Sequence, residues 1–166
     1  MNLDNTKKAL NDFCKYVIQQ SRTNLTKEKK TASGELYNSL GFDFNVSNNS
    51  FQLAFLMAPH GKFQDQGVSG TKKRFDTPYS YKDKMPPPSA FNQWVVRRNI
   101  APRNEKGQFT SRKSLQFAIA KSIYENGIKP TKFFTTPFER AYQKLPDEII
   151  EGFGLDFDNL LKYSLK

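Results

Sequence analysis

The sequence predicts an α+β fold: a small antiparallel sheet with helices packed on it, from which long basic loops or a β-arm extend. Three observations carry this. Apolar residues recur at helical spacing early and late in the chain. Two neighbouring runs, Phe42–Val46 and Phe51–Ala58, have strand length and strand patterning. The stretches between are rich in Gly, Pro and Lys/Arg and carry no apolar period. At 166 residues the chain suffices for one domain with its own core, read as 1–166, with an N-terminal helix in 1–29, a central region 30–150 and a tail helix in 151–166. Apolar residues make up only 37%, but fifteen Phe and seven Tyr compensate, because each ring buries a large area.

The first helix spans residues 4 to about 24. Leu10, Phe13, Cys14, Val17 and Ile18 form one stripe, and Asn2 or Asp4 is placed to cap its start. Thr26–Thr31 is a charged break. Ala32–Leu40 follows as a short helix or turn with Leu36 and Leu40 four apart. Phe42–Val46 alternates apolar and polar, Ser47–Ser50 has turn composition, and Phe51–Ala58 is apolar at every position but Gln52. The second strand is therefore expected to be interior, covered on both faces. Pro59–Pro88 reads mostly as loop. Ser89 is expected to cap a helix that reaches about Asn99 with Phe91, Trp94 and Val95 on one face. Ala101–Ser111 is a second basic loop turning at Lys106-Gly107. Ser111 then caps a helix with Leu115, Ala118, Ile119, Ser122 and Ile123 on one face. Gly127 is expected to end it in a left-handed conformation, with Ile128 folded back on Ile123 and Pro130 barring continuation. Phe138–Leu145 reads as helix, Pro146 opens another over Asp147–Gly152, and Leu155, Leu160, Leu161 and Leu165 mark a final amphipathic piece.

The net charge of +10 is unevenly placed. Residues 1–60 hold seven basic and five acidic side chains, residues 61–130 fourteen and five, and residues 131–166 five and six. The middle segment thus faces nucleic acid or an acidic protein surface, or its lysines serve solubility. No apolar run reaches membrane-spanning length, and the N-terminal residues lack signal-peptide layout. One cysteine, Cys14, has no intrachain partner, which suits a reducing compartment.

Residues able to do chemistry are few. His60 is the one histidine, and Cys14 lies on an apolar stripe. One His and one Cys make neither a hydrolytic pair nor a zinc site. Glu28 and Lys30, with Asp12 or Asp43, have the residue types of a magnesium nuclease, but Glu28 sits in a solvated charge run. There is no phosphate-binding glycine motif. The expectation is a non-enzymatic protein without cofactor or metal. Lys72, Lys73, Arg74, Phe75, Tyr79, Tyr81 and Lys82 interleave charge with rings, a mixture that serves phosphate and base contacts or a protein interface.

The order of segments resembles a known family. After an N-terminal helix come Ser33-Gly34-Glu35-Leu36-Tyr37-Asn38-Ser39-Leu40, a hairpin, Pro59–Gly67, a long loop, a helix ending Asn126-Gly127-Ile128, and then Pro130, Phe133, Phe134 and Pro137. Over residues 30–150 this is similar to the tail-completion, or head–tail joining, proteins of tailed bacteriophages. Asp65-Gln66-Gly67 stands where that family has Glu-x-Gly-Thr, and Phe138 where it has Ala. The resemblance implies a virion protein made in the bacterial host cytoplasm. It implies a homo-oligomeric ring, six- or twelve-fold, that joins portal or connector to tail proteins, with packaged DNA in its lumen and no membrane partner. The interface candidates are Lys72, Lys73, Arg74, Phe75, Tyr79 and Tyr81 on the first loop and Arg103, Lys106 and Phe109 on the second. Gly127, Ile128, Pro130, Phe133, Phe134 and Pro137 form a structural corner, in which Phe133, Phe134 and Pro137 pack the core or, as the lesser alternative, make a contact within the ring. The alternative is a nucleic-acid-binding protein that uses segment 61–130.

Overall fold

The computed structural model describes residues 3–30, 33–47 and 50–164. Asn2 as a cap, Thr31 and Ala32 in the break after the first helix, the Asn48-Asn49 turn and Leu165 lie outside the described residues. The fold is α+β. Among the described residues there are seven helices, α1 (Asp4–Lys27), α2 (Glu35–Ser39), α3 (Gly61–Gln66), α4 (Asn92–Arg97), α5 (Arg112–Asn126), α6 (Thr135–Tyr142) and α7 (Leu145–Ser164), and one antiparallel pair, β1 (Gly41–Ser47) with β2 (Ser50–Leu56). The chain divides into two compact units, one of segments 1–27, 39–57 and 133–166, the other of 28–38 and 58–132.

The first unit is organised by the predicted stripe of α1. Leu10, Phe13, Cys14, Val17 and Ile18 are all buried, and Ser21 and Leu25 extend the stripe by two turns. Phe42 pairs with Phe55 and Phe44 with Leu53, so the hairpin presents these four side chains to the core around Leu10, Phe13 and Val17. Phe13, Phe55, Phe134 and Phe138 meet at ring-centroid distances of 5.3 to 6.0 Å, mostly edge to face. Each such contact is worth about 0.5–1.5 kcal/mol beyond burial. Phe133 is fully buried and Pro137 is buried, and Phe134 packs against the Leu10 cluster.

The second strand is not covered on both sides as expected. The sheet has two strands, and the face opposite the core carries Ala54, half-buried, and Leu56, exposed. Apolar composition on both faces of a strand does not by itself supply a second layer to cover it.

The C-terminal segments also differ from expectation. The pieces read as Asp147–Gly152 and Leu155 onward are one 20-residue helix, α7, with Pro146 in its first turn. Gly152 is no break: a Cβ there would lie 3.1 Å from the Asn5 backbone, so the glycine lets α7 approach the start of α1. There Asp156 accepts hydrogen bonds from the Asn5 and Thr6 amides, both at 3.0 Å, from the Asn5 side-chain amide at 2.9 Å and from the Thr6 hydroxyl at 2.9 Å. The first amides of a helix lack intrahelical acceptors. Asp156 satisfies two of them, whereas Asp4, read as a cap, is the first helical residue. Burial alone pushes the Asp156 carboxyl up; the four hydrogen bonds outweigh it and hold the group below its ordinary value.

The second unit contains α3 within the stretch read as mostly loop, and a 3₁₀ turn (Pro88–Phe91) before α4. Ser89 does not cap that segment. It lies inside the turn, which starts at Pro88, a residue pre-set for a first helical position. Val95 is buried, Phe91 half-buried and Trp94 exposed. No β-arm forms among the described residues of 68–82; the segment folds on itself through an isolated pairing of Ser69 with Ser80. No helix among the described residues is long and apolar enough to cross a membrane.

Candidate interface at the two ends of one helix

α5 starts where the sequence places it. The Ser111 hydroxyl accepts from the Ser114 amide at 3.1 Å. The buried side is rotated from expectation. Gln116 and Ala120 are buried, Leu115, Ile119 and Ile123 are half-buried, and Ala118 and Ser122 are exposed. Gln116 is buried because it has a use: its amide donates to the Asn92 side chain of α4 at 2.9 Å.

The first basic loop is built on the far end of α5. The last carbonyls of a helix have no intrahelical donors. Here the Thr71 amide donates to the Tyr124 carbonyl at 2.9 Å, and the Lys72 and Lys73 amides donate to the Glu125 carbonyl at 2.9 and 3.2 Å. Gly127 has φ +74° and ψ −168°: φ lies on the left-handed side, as expected of a terminating glycine, while ψ is far from the helical value, so the chain straightens there. Ile128 accordingly leaves the helix and exchanges two backbone hydrogen bonds with Val68, at 2.7 and 2.9 Å. Gly70 and Gly127 cross so closely that a Cβ on either would overlap backbone of the other segment.

This anchoring puts Lys72, Lys73 and Arg74 at the negative end of the α5 dipole, where cations are favoured. Lys72 reaches Glu125 at 2.9 Å, and its ammonium holds that carboxyl below the usual range, yet the lysine side chain stays 70% exposed. The rings turn the other way. Phe75 is half-buried under the Lys73 ammonium, 5.5 Å from the ring centre, and its amide donates to the Ser69 hydroxyl at 3.0 Å. Tyr79 packs edge-on against Phe63 at 4.8 Å. Tyr81 packs against Tyr124 at 6.2 Å, and burial pushes its hydroxyl above the ordinary value. The Tyr124 hydroxyl donates to the Lys82 carbonyl at 2.7 Å. Within this loop the rings are posts and the cations are the free surface.

The second basic loop precedes the start of α5. Arg103 pairs with Phe109, and the Asn104 side chain accepts from the Lys106 and Gln108 amides at 3.0 and 2.9 Å, closing the turn at Lys106-Gly107. The Arg103 guanidinium lies 4.2 Å from the centre of the Phe109 ring, which is 69% exposed. Arg112 and Lys113 then open α5, with no acid in its first turn. Cations at a helix N-terminus oppose its dipole by about 0.3–1 kcal/mol each. Helix stability does not explain their presence.

The nine candidate residues therefore do not form one patch. They form two, at opposite ends of a 15-residue helix about 22 Å long. Gly127, Ile128 and Pro130 belong to the loop-rich unit, while Phe133, Phe134 and Pro137 belong to the unit built on α1. Sequence reading missed the exposed Phe117, Ala118 and Ser122 face of α5 that runs between the patches; the exposed period of a short helix whose core side includes a glutamine carries little signal. His60 and Glu28 are exposed, Cys14 is buried, and the described residues contain no group of three or more His, Cys, Asp or Glu placed to hold a metal ion. Compared with protein families, with curated proteins and with solved structures, the chain gives no match.

Proposed function

We propose that this protein is a structural subunit of a tailed-bacteriophage particle: a ring-forming component at the head–tail joint or in the tail, which links portal or connector and tail layers by protein contacts and without turnover or cofactor. The order of segments described above supports the family. The observation that carries a binding role is the position of the exposed cations. Arg112 and Lys113 sit where they oppose their own helix, and Lys72 and Lys73, fixed by backbone hydrogen bonds, stay exposed beside the exposed Arg74. The start of α5 keeps its cations at a cost to local stability, which a binding partner accounts for.

Light scattering and electron microscopy of the purified full-length protein test this. A closed oligomer, or capture of portal or tail proteins from infected cells, is the expected result. A strict monomer that captures neither counts against it. The excess of basic residues in segment 61–130 favours DNA as a second partner, as in a ring threaded by the genome. Binding to duplex DNA would then fall steeply with salt, and charge reversal at Lys72–Arg74 that leaves it unchanged removes that patch from the reading.

A further inference from the structure

α7 carries two apolar faces, and its unit uses one. Leu145, Ile149, Gly152 and Asp156 recur every three or four residues and meet α1 and its core. A second series, Ile150, Phe153, Phe157 and Leu160, follows the same 3–4 spacing about a quarter turn away, which is the pattern of a helix that packs on another helix. All four are exposed, Ile150 by 70%. From Phe157 to Ser164 every residue is exposed, because α7 runs on past Asp156, the point where it meets the start of α1. α7 is also acidic, with five Asp/Glu against Lys162 alone.

α5 has the opposite character. Arg112 and Lys113 open it, Lys121 lies on its exposed side, and the Lys72 patch stands at its end. Its exposed side carries Ser114, Ala118 and Ser122 at four-residue intervals beside the exposed Phe117. That leaves a shallow track in which another helix can lie close. The α7 series spans eleven residues, about 16 Å, and fits within the length of α5.

We propose that the free face of α7 on one copy of the chain seats on the exposed face of α5 on the next copy. This rests on the ring reading and names its subunit contact. Two α7 helices do not serve each other, since both are acidic; the complementary charge lies on α5 and its flanking loops. The two surfaces differ, so the contact is head-to-tail, and repetition closes a ring. The apolar series supplies the buried area, and the charges set direction.

Sedimentation velocity on three full-length proteins tests it: the wild type, a Phe153→Ser/Phe157→Ser variant and an Arg112→Glu/Lys113→Glu variant. The wild type assembles. Each variant loses self-association by roughly 30-fold or more. An equal mixture of the two forms a one-to-one dimer and nothing larger, because one intact α7 meets one intact α5. The Arg112→Glu/Lys113→Glu variant also melts no lower than the wild type, since acids suit a helix N-terminus, so its loss is not a folding defect. If both variants assemble like the wild type, the α7–α5 contact is wrong while the ring reading stands. If only the α7 variant is impaired, the contact is α7 on α7, and the inference fails. If both lose assembly but their mixture stays monomeric, the two faces do not meet, and the inference fails. A folded wild type that remains monomeric overturns the α7–α5 contact, and the ring reading falls with it only if that monomer also captures no portal or tail protein.

Discussion

In the unit built on α1, side chains do the holding: a run of phenylalanines from four separate segments closes over Leu10, Cys14 and Val17. In the unit built on α5, the backbone does it. Loop amides fill helix-end carbonyls, two glycines cross without side chains, and Ser69 bonds its loop to itself. The difference has a functional side. A loop fixed through its main chain is free to vary what its side chains offer, so charge can be presented in a defined place without a large core beneath it.

The sharpest way to break this contrast is to remove side-chain bulk from the first unit. Phe133→Ala, at a site with no exposure, should cost about 3–5 kcal/mol, a large part of a typical domain's stability, and lower the urea midpoint accordingly. A loss near zero would show that the ring is not part of a packed core. The matching change in the second unit is a single methyl. Gly127→Ala forces a side chain onto a positive φ and into the Val68 carbonyl, costing about 1–3 kcal/mol for the backbone conformation alone. Hydrogen exchange should then show the Thr71 and Lys72 amides losing protection while the amides of α1 keep theirs.

Asp156→Ala comes next. It leaves two helix-start amides without acceptors and should cost about 1–3 kcal/mol. The pH dependence has a definite sign. The folded carboxyl titrates below its unfolded value of about 3.9, so the stabilisation is complete above that value and is lost as pH falls through the folded one. The wild type and the Asp156→Ala variant should therefore converge in stability at strongly acidic pH; a constant gap would assign the effect to packing. Cys14 sharpens the contrast without mutation. Its thiol is buried and pushed up to about 11, so thiol reagents at pH 8 should label it only as fast as the first unit opens. The smallest effect is expected for Lys72→Ala. Its ion pair is exposed, and the loop is held by main-chain bonds, so the melting temperature should barely move.

How much of this could be read from the sequence follows the same division. The α1 stripe and the Ser111 cap are local patterns, and both were legible. The cap of α1 was not, because its acceptor lies 151 residues away and leaves no mark beside the helix. α7 read as two pieces because glycine usually weakens a helix, whereas Gly152 is there for a close approach that only the folded chain reveals. The apolar outer face of β2 was visible as composition, but composition does not say what covers it. For the candidate site, the cations and their two loops were legible. Their separation by the length of α5 was not, since it depends on loop amides finding Tyr124 and Glu125.

The Asp156 bond to Asn5 and Thr6 also bears on the order of events during synthesis. The first helix leaves the ribosome well over a hundred residues before α6 and α7, which complete its core and its cap. At about 5–20 residues per second it waits several seconds or longer with its apolar stripe uncovered. The stretch from Ala58 to Lys132 is translated in full within that interval. The α1 stripe is thus open to chaperones and to misassociation throughout that interval, and the arrival of α7 ends the exposure.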